Sequence, residues 1–246
     1  MPVAHKLNIN GQQIPYRVVK THGRRISLRF SVRAPLLEIR TPSGRFGYAE
    51  QKAIDHQQDW ILQHFHSRKH LWERREALQQ RIENGEILYQ GQLVPWQAHL
   101  ANKSRIAIDE NGLQLHLTPQ DMEAPRLPML YHAMRTLAKG ILTPMVHDIA
   151  QRTGSQINQV RVKDVTSRWG SCSSKSNINL NWYLIMIEPE LIEYLIIHEL
   201  MHLREMNHSP QYWAWVEKFY PNYQEADRRL SEQEWLIGLF DVWLGE

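Results

Sequence analysis

The stretch IIHELMHLREMNH, residues 196–208, sets three histidines and two glutamates into thirteen positions of an otherwise apolar neighbourhood. Leu191, Ile192, Leu195, Ile196, Leu200 and Leu203 recur at helical spacings over more than one face, which predicts a largely buried helix. Glu188-Pro189-Glu190 marks its start, because proline and acidic side chains are favoured in a first turn. His198 and His202 are four residues apart and project from the same side, one turn from each other. This is H-E-x-x-H: two imidazoles so spaced can bind one tetrahedral zinc ion, and Glu199 between them can reach a water there. With 13 His and 18 Glu in the chain, chance placement gives about 0.05 such motifs, so the match is suggestive by itself. Its place on an apolar helix strengthens it, since two imidazoles and a carboxylate are costly to bury without a task.

A catalytic zinc site needs a third protein ligand. His208 follows His202 in the segment Asn207-His208-Ser209-Pro210, which reads as the chain leaving one helix and beginning another, so that His208 can swing back. Glu217 and Glu225, on later helices, are the alternatives, but His208 is nearer and its turn is well marked. The spacing H-x3-H-x5-H also matches that of metzincins, yet Glu205 stands where their motif has glycine and no Met-turn signature follows. The expected constellation is therefore His198, His202 and His208 around one Zn²⁺, with Glu199 as general base. Imidazole ligands alone do not separate Zn²⁺ from Mn²⁺, Co²⁺ or Ni²⁺.

Working outward, the 246 residues suit one large domain or two small ones. Hydrophobic content of 42% and charged content of 22% are those of an ordinary globular chain, and no apolar run approaches the roughly 18 residues of a membrane span. The N-terminal residues lack the apolar core of a secretory signal, and the single Cys172 cannot form an internal disulfide; both point to the cytoplasm. A net charge of +3 permits an anionic partner without requiring one. Arg24, Arg25, Arg29 and Arg33 cluster locally, as expected for the wet side of an alternating strand as much as for a nucleic-acid footprint.

Residues 6–42 read as short strands separated by turn signals such as Asn10-Gly11, and 47–83 as a helix, charged in its second half, that stops near Gly85. A second β unit, at about 86–121, resembles the first. GQQIPY (11–16) and GQLVPW (91–96) share a pattern at an offset of 80, as do Arg25-Ile26 and Arg105-Ile106, whereas LLEIRTP (36–42) and LQLHLTP (113–119) match at 77. From about 122 the chain turns helical, with Pro144 expected to kink or break the helix and Gly154 to end it. INQVRVKDV then reads as a strand, and SRWGSCSSKSNINLNWYLI as two strands around the polar turn Ser173–Asn177. The fold class is α+β: a β-rich region over 1–121 and a mostly helical catalytic domain with a small sheet over 122–246.

The segments RWGSCSSKSNINLNWYLI (168–185) and YLIIHELMHLREMNHSPQYW (194–213) resemble the YgjP-like family of predicted metal-dependent hydrolases, which is related to SprT-like and WLM zinc peptidases. The similarity is strong over about 160–230 and weaker toward RRISLRF and DWILQHF; the section 67–125 is longer than that pattern. The resemblance implies a zincin-type core and a peptide or protein substrate, with His198, His202 and His208 as ligands and Glu199 as base. In a zincin the strand pair at 168–182 lies next to the motif helix, where an edge strand receives an extended peptide through main-chain hydrogen bonds. Arg168, Ser171, Lys175 and Asn181 are then substrate-facing candidates, and each also reads as an ordinary turn or strand residue. Tyr212 and Arg168 are candidate donors to a developing oxyanion. Cys172 reads as a packing residue or cleft wall rather than a nucleophile, and the aromatics of YWAWVEKFYP (212–221) as core.

Two further readings keep part of this constellation. The same activated water could cleave a phosphoanhydride such as a nucleotide, whose charge the basic residues near 24–33 and Arg168 with Lys175 would suit. Alternatively, zinc could merely hold together a nucleic-acid-associated module. Glu199 argues against the latter, since a structural site needs a fourth ligand and no base.

Overall fold

Three small sheets alternate with helices over residues 5–31 and 34–244, the part of the chain that the computed structural model describes; it is an α+β protein, as expected. Arg33 lies outside the described residues. The chain divides into two compact units, Met1–Ala77 and Leu78–Glu246, which groups the second β unit with the helical half.

The first unit is built on β1 (His5–Ile9), β2 (Gln12–Lys20), β3 (Ser27–Phe30) and β4 (Leu37–Thr41), in the order β1-β2-β4-β3. Asn10 and Gly11 both have positive φ, 49° and 84°, the backbone a two-residue hairpin needs to match strand twist. Two helices follow, α1 (Tyr48–Asp55) and α2 (Gln58–Glu83), where the sequence suggested one. The break comes at His56-Gln57, whose N–H groups turn back to the carbonyls of Lys52 and Ile54. Ile14, Phe30, Leu37 and Ile39 from the sheet pack with Ile54, Ile61, Phe65 and Trp72 from the helices. Each such buried side chain contributes on the order of 1.5–3 kcal/mol. Arg24, Arg25 and Arg29 are exposed, on the wet side of this unit.

The second unit opens with the same topology. Strands β5 (Glu86–Tyr89), β6 (Gln92–Leu100), β7 (Arg105–Asp109) and β8 (Gly112–Leu117) run in the order β5-β6-β8-β7, with the same parallel and antiparallel senses. The strand register corrects the sequence alignment in its later part. Tyr16 pairs with Leu37 and Trp96 with Leu113, so the offset is 80 at β2/β6 but 76, rather than 77, at β4/β8. Ser27 pairs with Arg40 and Arg105 with His116, which makes Ser27, and not Arg25, the counterpart of Arg105. Burial sets this: Leu37, Ile39 and Thr41 point inward, as do Leu113, Leu115 and Leu117, and a one-residue slip would turn each set outward.

After the short α3 (Pro119–Met122), the helix α4 (Arg126–Thr153) runs straight through Pro144. The expected break does not occur, because proline there removes one backbone bond while Leu142, Val146 and Ile149 keep both flanking turns buried. Gly154 ends the helix in the left-handed conformation, at φ 66°. Strands β9 (Gln159–Lys163), β10 (Gly170–Cys172) and β11 (Asn177–Asn181) form a sheet in the order β10-β11-β9, with β10 at its edge. The second strand of the hairpin stops at Asn181, and Trp182–Met186 is a buried 3-10 turn rather than strand, since the Asn181 side chain accepts the Tyr183 N–H. Helices α5 (Pro189–Met201), α6 (Pro210–Phe219), α7 (Tyr223–Ser231) and α8 (Asp241–Leu244) complete the chain. No helix of the described residues is long and apolar enough to cross a membrane.

Candidate metal centre

The apolar positions of α5 bury it against α4, α6, α7 and β10, which leaves its polar positions in one confined place. His198 lies in its last turns and His202 caps its C-terminus. Beyond it the chain doubles back through bonds from Leu203, Arg204 and Glu205 to the carbonyls of Leu200 and Met201. It is then redirected by a local code. Asn207 accepts the Ser209 N–H at 3.1 Å, the Ser209 hydroxyl accepts the Tyr212 N–H at 3.3 Å, and Pro210 opens α6. His208, on this corner, returns to the other two.

The ligand atoms of His198, His202 and His208 all lie within 4.8 Å of one another, and the three residues could hold a metal ion. His198 Nε2 and His208 Nε2 are 3.3 Å apart. Two nitrogens bound at about 2.0–2.1 Å in a tetrahedral zinc site are separated by about that distance. The outer nitrogens have partners that orient the rings. His202 Nδ1 meets the Glu205 carbonyl at 3.1 Å, which leaves Nε2 as the lone-pair donor. His198 Nδ1 lies 3.4 Å from the Tyr194 hydroxyl, which donates to Asp227 Oδ1 at 2.7 Å. Burial, reinforced by the neighbouring His202 and His208, pushes His198 down to about 3, and burial lowers His202 as well. Neutral imidazoles are the form that binds metal.

Glu199, next to His198 in sequence and about 100° further round the helix, is only 5% exposed. Its carboxylate packs on Gly170 of β10 so closely that a Cβ there would stand 2.6 Å from Oε1 and 2.9 Å from Cγ. Burial raises it to about 8, against the opposing pull of the Arg168 charge and the Cys172 N–H, which donates to it. A carboxyl poised near neutrality suits a general base. Cys172 is pushed up to about 11 by burial and by the charge of Glu199, so it is a neutral thiol at pH 7, in line with its reading as a wall.

The remaining candidates separate. Arg168 is exposed at the mouth of β10, with its charge felt at Glu199. Ser171, on β10, accepts from Asn179 Nδ2 at 3.2 Å, and Lys175 is exposed in the turn beyond it. Asn181 is buried, and its amide donates to the carbonyls of Val165 and Arg168. Tyr212 is also buried: its ring stacks on His202, and its hydroxyl donates to the His198 carbonyl at 2.9 Å, so both face the protein. Glu217 and Glu225 are exposed and stand apart from the histidine cluster, and Glu225 pairs with Arg228 at 2.6 Å.

Sequence reading missed three residues of this centre. Tyr194 was within reach of it, since Tyr194, His198 and His202 form an i, i+4, i+8 stripe on α5. Gly170, inside a strand, is the usual mark of a close approach. Asp227 carries no local signal, because it comes from α7.

Part of this chain is similar to two solved structures. The metallopeptidase zymogen of Pyrococcus abyssi abylysin is 26% identical over 38% of this chain and 96% of its own, with a TM-score of 0.35. That of Methanocaldococcus jannaschii jannalysin is 22% identical over 37% of this chain and 95% of its own, with a TM-score of 0.34. No curated protein matches the chain. Residues 24–233, reaching from the first sheet through the histidine cluster to the end of α7, match the family described as YgjP-like, metallopeptidase domain, and the chain belongs to that family.

Proposed function

We propose that this chain is a zinc peptidase in which His198, His202 and His208 hold the ion and Glu199 is the general base. The observation that carries the reading is the convergence of three imidazole donors, two of them 3.3 Å apart, beside a buried carboxyl raised to about 8. Zinc in such a site supplies Lewis acidity, toward the attacking water and toward the scissile carbonyl. Glu199, desolvated between α5 and β10, takes the proton of the attacking water and passes it to the leaving amine. The outer edge of β10 receives the substrate backbone as an added strand, which sets the scissile bond beside Glu199. Tyr212 and Asn181 act by holding His198, His202 and the 165–168 loop in place rather than by touching substrate. The lone Cys172 suits a reducing cytoplasm.

The test is metal content by mass spectrometry together with casein hydrolysis. Wild type and Glu199→Gln should each carry one zinc, with only wild type turning over. His202→Ala and His208→Ala should lose the metal, and Glu225→Ala should keep both metal and activity. Retention of zinc by His208→Ala with loss in Glu225→Ala would replace the third ligand; a wild type free of metal would end the reading.

A further inference from the structure

Residues of the loop 164–169 and of the β9–β11 sheet line an open cavity of about 210 Å³. Side chains alternate along a strand, so register identifies the face: Lys163 lies beside Asn181, and Ser171 opposite Asn179. Asn181, 1% exposed, fixes the loop by donating to the carbonyls of Val165 and Arg168 at 2.8 and 3.0 Å. That bond pair holds the exposed Arg168 at the rim, next to the buried Trp169. Arg168 and Lys163 both line the cavity, no Asp or Glu does, and neither cation has an ion-pair partner among the described residues. Two cations without ion-pair partners around an open pocket with a serine hydroxyl in its wall are a receptor for an anion, and a guanidinium fork matches a carboxylate best.

The cavity also adjoins the chemistry. Gly170 forms part of its wall; Glu199 packs on the side of Gly170 turned away from the Ser171 face, so strand β10 stands between cavity and carboxyl, and the Arg168 charge reaches that carboxyl. A peptide added along the edge of β10 sends alternate side chains to this face, which brings an anionic group of such a molecule within reach of the cavity. We propose that this cavity is a specificity subsite that takes a carboxylate of the peptide substrate through Arg168 and Lys163, either an Asp or Glu side chain near the scissile bond or the free C-terminus. The inference rests on the peptidase reading and adds to it an acidic substrate preference.

The experiment is peptide binding to zinc-loaded Glu199→Gln protein, followed by fluorescence anisotropy. A short labelled peptide is varied by scanning Glu against Gln along its length, each version with a free and an amidated C-terminus. One position at which Glu binds roughly tenfold or more tighter than Gln identifies a side-chain subsite, and the same gain of free over amidated ends identifies a terminal one. In Lys163→Glu/Arg168→Glu the gain should vanish and a Lys peptide should become the preferred ligand; both positions are exposed, and retained zinc confirms the fold. Equal binding of all versions, or a carboxylate preference that survives charge reversal, overturns the subsite. Wild-type cleavage of the same peptides keeps the two ideas apart. Cleavage without carboxylate preference leaves the peptidase and removes the subsite, whereas carboxylate-selective binding with no peptide ever cut removes the peptidase.

Discussion

Gly170 and Glu199 compete for one volume, and only a hydrogen at position 170 lets the carboxyl stand where it does. The Gly170 backbone is not in the left-handed region, so alanine is acceptable to the chain itself, but its methyl would meet Glu199 Cγ at 2.9 Å and Cδ at 3.0 Å. Glu199 is hemmed in by α5 on its own side and has to move as a whole. Gly170→Ala should keep its zinc and fold and lose roughly 100-fold in kcat, the scale of a 1 Å misplacement at a reacting group; unchanged turnover would show that Glu199 does not act from this position. Tyr194 and Asp227 orient His198. Tyr194→Phe or Asp227→Asn should weaken zinc binding about 10–100-fold in a chelator competition, with the fold intact, because such outer partners fix the ring and its basicity.

At the scale of elements, the sequence was most legible where one local rule decides the structure. The hydrophobic pattern of 191–203 predicts α5, Asn10-Gly11 predicts its hairpin, and Asn207-His208-Ser209-Pro210 predicts the corner that returns His208. It was least legible where distant packing overrides local grammar. Pro144 signals a break, yet burial on both sides keeps α4 whole; Trp182-Tyr183-Leu184-Ile185 has strand propensity, yet the Asn181 cap winds it into a 3-10 turn. The repeat exposes the same limit: shared turn residues aligned β2 with β6 correctly, but from β3 onward only burial could set the offset. The corner before α6 offers the sharpest test, because one hydroxyl both caps a helix and shapes a ligand loop. Ser209→Ala should lower stability by about 1 kcal/mol, the usual value of an N-cap. It should also weaken zinc binding more than Ser173→Ala, which alters a turn in the β10–β11 hairpin. Thermal melts with and without zinc would compare them, and equal zinc affinities would show that His208 is placed by packing alone.

For the molecule as a whole, the centre couples folding to pH, and the two kinds of group in it pull in opposite directions. In the zinc-free protein Glu199 is raised from 4.5 to about 8, so across that interval the folded chain keeps a proton the unfolded chain has lost, and stability falls as pH rises. His198 is lowered from 6.5 to about 3 and His202 is lowered too, so below 6.5 the unfolded chain takes up protons the folded one refuses, and stability falls as pH drops. Between 4.5 and 6.5 Glu199 offsets His198, and the lowered His202 tips the balance toward lower stability as pH drops; above 6.5 Glu199 acts alone. The zinc-free protein should therefore be most stable near pH 6.5 and lose about 2 kcal/mol by pH 8, since each pH unit is worth about 1.4 kcal/mol per proton. Glu199→Gln removes one arm of this balance. Its stability should stay level from pH 6.5 to 8 and fall more steeply than wild type below 6.5, as the imidazoles are no longer offset. Denaturant titrations of both proteins in chelator at several pH values measure this directly. An alkaline decline that persists in Glu199→Gln would mean that the buried carboxyl is not its source, and that the protonation balance of the centre lies elsewhere.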